Sequence, residues 1–412
     1  MNLDYDLVII GGGPAGMMAA IAAAKEKKRI CILERNRSLG KKLLLTGKGR
    51  CNFTTAGEID ETVDAFGKKG KFLYRALTGF SNQDLISFFN DRGIITKIER
   101  GKRVFPESDQ ASTILDCLIK EIEKEGIPVV HNFRVTKIFY QDNCFKIFSQ
   151  SGRTIVTDKL IIATGGKSYP ETGSTGDGYR LAAALGHKIN PLKPALAPLF
   201  VKDPEVRLLA GLSLKNVKLS IRAGGKEVVS FFGEMLFTHQ GISGPIVLET
   251  SKEVYDRLRK KQRVEAVIDL KPALDREMLK NRIYRDIHQI PKKEARALLK
   301  GLLPKLLIPL SLKKTKINGH KQNSFLTKEE VFYLIDFLKD FSFQIDGVAP
   351  LKNAIVTAGG VDIGQIDSRT MGSKLVRNLF FAGEIIDLDG PTGGYNLQKA
   401  FSTGWLAGSS AI

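Results

Sequence analysis

Cysteine is scarce in this 412-residue chain: Cys31, Cys51, Cys117 and Cys144 lie far apart, with no Cys-x-x-Cys pair. That pattern excludes a disulfide framework, a cysteine-based zinc site and a dithiol active centre, and it suits a reducing cytoplasm. Histidine is scarce too, with five residues, and nowhere do His, Cys and carboxylates gather at metal-ligand spacing, so no metal is expected. Long apolar runs are missing. No stretch reaches the roughly 18 uninterrupted apolar residues of a membrane span. The nearest, LLKGLLPKLLIPLSL (298–312), is broken by Lys300, Pro304, Lys305 and Pro309. Asp4 and Asp6 stand where a signal peptide would carry positive charge, so no secretory leader is expected. Internal repeats and low-complexity tails are also absent.

Acidic residues fall well short of basic ones, 44 against 63, for a net charge of +19. The excess is uneven. Residues 271–321 hold fourteen Lys and Arg against four acids, about half the net charge in about one eighth of the chain. Such a segment attracts polyanions. A solvated lysine-rich helical face, a nucleic-acid surface and a contact for an acidic partner or membrane all fit it.

What is present in abundance is glycine, forty residues, with 43% hydrophobic content, enough for a large core. YDLVIIGGGPAGMMAAIAAAKEKKRICILERN (5–36) reads as strand, glycine turn, helix, strand, a βαβ unit. Within it Gly11-x-Gly13-x-x-Gly16 follows the strand and opens the helix. Gly11 permits the tight turn, Gly13 lets the backbone approach a pyrophosphate, and Gly16 lets helix and sheet pack closely. The helix N-terminus turns free N–H groups and its dipole toward the phosphates. Glu34 ends the second strand, placed to accept hydrogen bonds from a ribose. LIIATGG (160–166) and NLFFAGEIIDLDG (378–390) are further apolar strands running into glycine, as suits a long dinucleotide held by distant segments. A second strand–GxGxxG–helix unit is missing, so any NAD(P)H would bind transiently as an electron donor.

The texture changes at INPLKPALAPLF (189–200), alternates apolar and polar to about 270, becomes basic and helical to about 343, then returns to strand and glycine. The expected layout is a nucleotide domain in two parts, 1–190 and 346–412. Between them lie a β-rich insert, 191–270, and a basic helical insert, 271–345.

Five blocks, GGGPAGMMAA, GKKLLLTGKGRCNFTT, GGKSYPETGSTGDGYRLAAALGH, MLFTHQGISGP and FAGEIIDLDGPTGGYNLQKAFSTG, make the chain resemble, over nearly its whole length, the BaiN/YhiN-like, or aminoacetone-oxidase-like, flavoproteins. The resemblance implies an α/β fold: a Rossmann-like two-dinucleotide-binding FAD domain, similar to fumarate-reductase flavoproteins, with an inserted domain. It implies FAD as cofactor and oxidoreductase activity. The family spans C=C reduction of a steroid-like compound, amine oxidation, and reduction of uridine to dihydrouridine in large-subunit rRNA. The partner is therefore a small-molecule substrate or rRNA. A flavin-containing nucleic-acid-binding protein with little turnover is the alternative from another class.

Carried over residue by residue, the resemblance puts Gly11, Gly13, Pro14, Ala15 and Gly16 on the pyrophosphate and Glu34 and Arg35 at the adenosine ribose. Val135 would pass near the adenine. Lys42, Gly49, Arg50, Cys51, Ala163, Thr164, Gly165, Gly383 and Glu384 would line the cofactor. Gly394, Asn396 and Leu397 would bring a helix N-terminus to the flavin's pyrimidine end. Arg50, Asn52 and His239 are the candidates for substrate contact or proton transfer. Cys51, with Lys48 and Arg50 beside it, reads either as a reactive thiol or as a packed one. One departure stands out: the family pattern has Gly-Gly-Gly-Arg-Cys-Asn in this loop, and here Lys48 replaces the middle glycine. That brings a cation to the loop, and strain if the position demands a positive φ.

Overall fold

The apolar run after Asp6 forms the centre of a sheet. In the computed structural model, which describes residues 3–24 and 28–412, Tyr5–Ile10 is a strand with Leu7, Val8, Ile9 and Ile10 buried. Burial on both faces is what a parallel strand flanked by helices requires. It pairs in parallel with Ile30–Leu33 on one side and Thr154–Ile162 on the other. Alongside the last residues of that strand, Leu160 to Ile162, lies Leu379–Phe381, again parallel. The whole sheet has seven strands and takes in the hairpin Val135–Gln141 and Cys144–Ser149 at one edge.

Two helices make the close packing possible. Pro14–Ala23 is alanine- and methionine-rich and buried along nearly its whole length. The last helix, Tyr395–Ser410, crosses it at Gly404 and Gly408. A Cβ at either would lie 2.3 or 2.2 Å from the carbonyl oxygen of Ala15 or Ala19, so only glycine lets the two backbones touch.

The chain divides into two compact units, one running to Ala195 and resuming at Leu351–Ile412, the other Leu196–Pro350. The second is built on a closed six-stranded barrel. Its long hairpin, Ser213–Ala223 with Lys226–Thr238, turns at Gly224 and Gly225. Here the structure departs from the expected pair of inserts. The helices Arg276–Gln289, Ala295–Leu302, Leu307–Thr315 and Lys328–Lys339 lie between two neighbouring barrel strands, Val264–Asp269 and Phe341–Val348. Barrel residues such as Leu219, Phe237 and Phe343 and helix residues such as Ile283, Leu299 and Leu334 share one apolar core. Pro304 separates two of the helices, which is how the leucine-rich 298–312 run is folded away. Among the described residues no helix is long and apolar enough to cross a membrane.

Candidate functional site

Four parallel strands end side by side, and each end delivers a segment singled out in the sequence. Gly11 N–H donates to the Leu33 carbonyl (2.9 Å), Ala163 N–H to that of Ile10 (2.9 Å), and Ala382 N–H to that of Ile162 (3.2 Å). Residues 11–16, 34–36, 163–165 and 383–384 therefore share one sheet edge, the place where open α/β sheets bind ligands. Gly11 has φ +110° and presses on Ala163, where a Cβ would sit 2.4 Å from the carbonyl oxygen. Gly16 packs onto Gly11, where a Cβ would meet its carbonyl oxygen at 1.9 Å. Gly13 is different: a Cβ there meets no protein atom within 4 Å. The helix behind it starts with Pro14 at its first position and has no side-chain cap, so its opening amides are left for an anion.

Glu34 is buried and already accepts two backbone hydrogen bonds, from Gly12 N–H (2.8 Å) and Asn36 N–H (2.7 Å). Each carboxylate oxygen keeps a second lone pair for a ribose hydroxyl. Arg35 is turned elsewhere, to Asp177 (3.1 Å) and Thr175, and Arg134 joins it on Asp177 (2.9 Å). Val135 is buried at the start of its strand, held beside Glu34 by Phe133 N–H donating to the Glu34 carbonyl (2.9 Å).

A polar knot ties the edge together. Lys42 donates to Glu384 (2.8 Å) and to the Ser168 hydroxyl (2.6 Å), and Glu384 accepts from Thr357 N–H (2.8 Å). Burial pushes the Glu384 carboxyl up, but the Lys42 charge, its hydrogen bond and the Thr357 amide outweigh it. The group is held below its ordinary value. Ser168 belongs to the GGKSYPETGSTGDGYRLAAALGH block, whereas Thr357 carries no motif of its own and only the fold brings it here. Thr164 packs its hydroxyl against Gly178, so it meets the edge through its backbone. Gly165 and Gly383 turn there with φ +72° and +80°.

The loop 43–52 holds most of the catalytic candidates. It coils as two turns broken at Thr46–Lys48, and Lys48 adopts the left-handed conformation, φ +59° and ψ +41°. Gly47, Lys48 and Gly49 are exposed. Arg50 is not offered to a ligand. Its guanidinium is bound to Asp109 (2.8 Å) and Glu99 and lies over the Phe105 ring, 4.3 Å from the centroid. Its hydrogen bonds hold the Glu99 carboxyl below its usual range; Asp109 is held low first by Lys97 and then by Arg50. Cys51 is buried, and burial pushes its thiol up to about 12 against a weaker opposing hydrogen bond from Thr46. It is a packed thiol, not a nucleophile. Asn52 presents an unanswered group, as Thr164 does through its Oγ1: the Asn52 Oδ1 is buried with no hydrogen-bond partner. Such an atom calls for a donor.

The last helix starts at Tyr395 after Gly394 (φ +98°) with no side-chain cap. The Asn396 side chain is used within the loop before it, accepting from Gly390 N–H (2.9 Å) and donating to the Gly390 carbonyl (2.8 Å). What Asn396 and Leu397 can offer a ligand is therefore their backbone N–H. His239 belongs to the other unit, exposed at the turn between the strands Lys226–Thr238 and Gly241–Ser243. Among the described residues no group of His, Cys, Asp and Glu could hold a metal ion.

Helix N-terminus, bare glycine and buried acid at one sheet edge fit the phosphates and ribose of a dinucleotide. Comparison with known proteins points the same way. The profile of the HI0933-like protein Rossmann domain matches residues 5–410. The 3-dehydro-bile acid delta(4,6)-reductase of Clostridium scindens is 33% identical over 408 residues, 98% of each chain. A ribosomal RNA dihydrouridine synthase of Escherichia coli is 32% identical over 412 residues, 99% of this chain and 98% of that one. The open conformation of a flavocytochrome c3 fumarate reductase covers 99% of this chain and 78% of its own at 17% identity and a TM-score of 0.52, a likeness of fold.

Proposed function

As a member of the HI0933-like Rossmann family, to which it belongs over residues 5–410, this chain is an FAD-dependent oxidoreductase, and we propose that it reduces a carbon–carbon double bond conjugated with a carbonyl group. The observation that carries this reading is that two full-length relatives with different substrates are named for one kind of reaction. Reducing a 3-keto Δ4,6 system and turning uridine into dihydrouridine both add hydride to such a bond. Bound FAD would supply that hydride from N5.

The chain's own part is to bind and orient. In this reading the amides at the start of the first helix and the open face of Gly13 take the pyrophosphate, and Glu34 takes the adenosine ribose. Asn52 Oδ1 accepts from the ribityl chain or ring. The uncapped start of the last helix faces the pyrimidine end, where the reduced ring carries negative charge. A nicotinamide dinucleotide serves as transient electron donor. The test is anaerobic. Protein reduced with dithionite is mixed with a 3-keto-Δ4 steroid, and flavin reoxidation is followed with the mass of the product. Reoxidation with a gain of two hydrogens supports the reading. Reduced flavin that answers only to oxygen, or protein whose flavin is reduced by an amine and reoxidised rapidly in air, counts against it.

A second reading concerns what carries the double bond. Lys292, Lys293, Arg296, Lys300, Lys305 and Lys316 are all exposed, and none takes part in an ion pair among the described residues. A surface of unneutralised cations favours a polyanion, hence a uridine within rRNA. Comparing rRNA nucleosides by mass spectrometry with and without the gene decides it. Loss of dihydrouridine on deletion supports the RNA substrate, and its retention sinks it.

A further inference from the structure

Lys399 is the group that the binding scheme leaves unused. It lies one turn into the last helix and is 1% exposed, among the largest fully buried side chains of the protein. A buried ammonium is expensive unless paired. Yet the hydrogen bond it makes among the described residues is to a neutral group, the Leu388 carbonyl in the loop that leads to the helix start. The nearby carboxylates have partners of their own. Glu384 is bound to Lys42, and Asp387 to Lys69 and to Asn190 (2.7 Å). Asp389 completes the acidic groups facing it, Lys42 is the facing cation, and the buried Tyr179 hydroxyl lies 3.5 Å from the Glu384 carbonyl. Glu384 and Asp387 are thus engaged by other groups, and with Asp389 they favour the Lys399 charge electrostatically.

We propose that Lys399 is a positioning residue for the flavin's electron chemistry, a cation kept behind the helix start to favour the negatively charged reduced ring and to take up a proton when that charge forms. The proposal rests on the flavin reading above, which puts the helix start at the pyrimidine end. Burial lowers the Lys399 ammonium to about 8, although Glu384 and Asp389 pull the other way. Near and above that pH a share of the lysine is neutral before reduction. Two electrons and one proton reach the ring and leave one negative charge on it. A second proton then passes from solvent to Lys399 Nζ. Below that pH the lysine is charged throughout, and the ring's proton is the only one taken up.

The experiment is spectroelectrochemical titration of the FAD-loaded protein with dithionite and redox dyes from pH 6.5 to 9.5, in wild type, Lys399→Met and Lys399→Arg. Wild type should take up one proton per electron pair at the acid end and approach two above pH 8, so the slope of potential against pH steepens there. Lys399→Arg should keep the potential at pH 6.5 and show no break, since arginine does not deprotonate. Lys399→Met should favour the oxidised flavin by about tenfold at pH 6.5, the order expected for removing one unit charge from a buried site. A wild-type slope with no break overturns the proposal without any variant. So does a folded, FAD-loaded Lys399→Met protein with the wild-type potential and slope. A chain that takes up no FAD fails earlier and overturns the flavin reading itself.

Discussion

Replacing Gly13 with alanine separates what the glycine turn does for the fold from what it does for the ligand. In the structure Gly13 has φ −85° and ψ −177°, open to any residue, and a Cβ there meets no protein atom within 4 Å. Alanine is a poorer helix N-cap than glycine, by about 0.5–1 kcal/mol. It also restricts the unfolded chain, which stabilises by about 0.4–1 kcal/mol. The two offset, so FAD-free Gly13→Ala protein should match wild type within about 0.5 kcal/mol in denaturant unfolding. Its methyl group, however, stands where the backbone must approach the pyrophosphate. Loss of one hydrogen bond to a charged group costs about 1.5–3 kcal/mol, roughly 10- to 100-fold in Kd. Flavin fluorescence quenching measures this. Gly11→Ala is the control. At φ +110° and with a Cβ 2.4 Å from the Ala163 carbonyl oxygen, it should lose about 2–5 kcal/mol of FAD-free stability from strain and overpacking together. If Gly13→Ala destabilises the FAD-free protein as much as Gly11→Ala does, or binds FAD with wild-type affinity, the reasoning is refuted.

Three other expectations concern the loop 43–52. Cys51, with its thiol near 12 and buried, should resist iodoacetamide in the folded protein between pH 7 and 9 and react on unfolding; rapid native-state labelling would contradict this. Lys48→Gly should be more stable than Lys48→Ala by about 1 kcal/mol, because both lysine and alanine are strained at φ +59° while glycine is not. Equal unfolding midpoints for the two variants would count against that strain. Arg50→Met should loosen the loop by removing its ties to Glu99 and Asp109, which limited proteolysis reads as faster cleavage near residue 50. If it instead impairs substrate turnover with loop protection intact, Arg50 belongs to the chemistry after all.

The nucleotide end was legible because its constraints are local. The spacing Gly11-x-Gly13-x-x-Gly16 exists because Gly16 must lie on Gly11 and Gly11 on the neighbouring strand, and Glu34 follows at the end of the next strand. The ion pairs of Arg50 were not legible, because Glu99 and Asp109 lie 49 and 59 residues on, with nothing in the sequence to pair them. The Lys42–Glu384 pair spans 342 residues and was visible only as two separate lining residues. The insert was split in two because composition changes at about 271. Phe341–Val348 then returns to close the barrel, and a closing strand far along the chain leaves no mark on composition. Lys399 was passed over because a lysine in a helix ordinarily reads as surface, and only burial sets it apart.

The most direct measurement is the absorption spectrum of the purified chain, followed by chromatography of what it releases on denaturation. The account predicts flavin bands near those of bound FAD and release of FAD, rather than FMN, in about equimolar amount. A colourless chain that takes up no FAD when incubated with it would contradict the account at its centre.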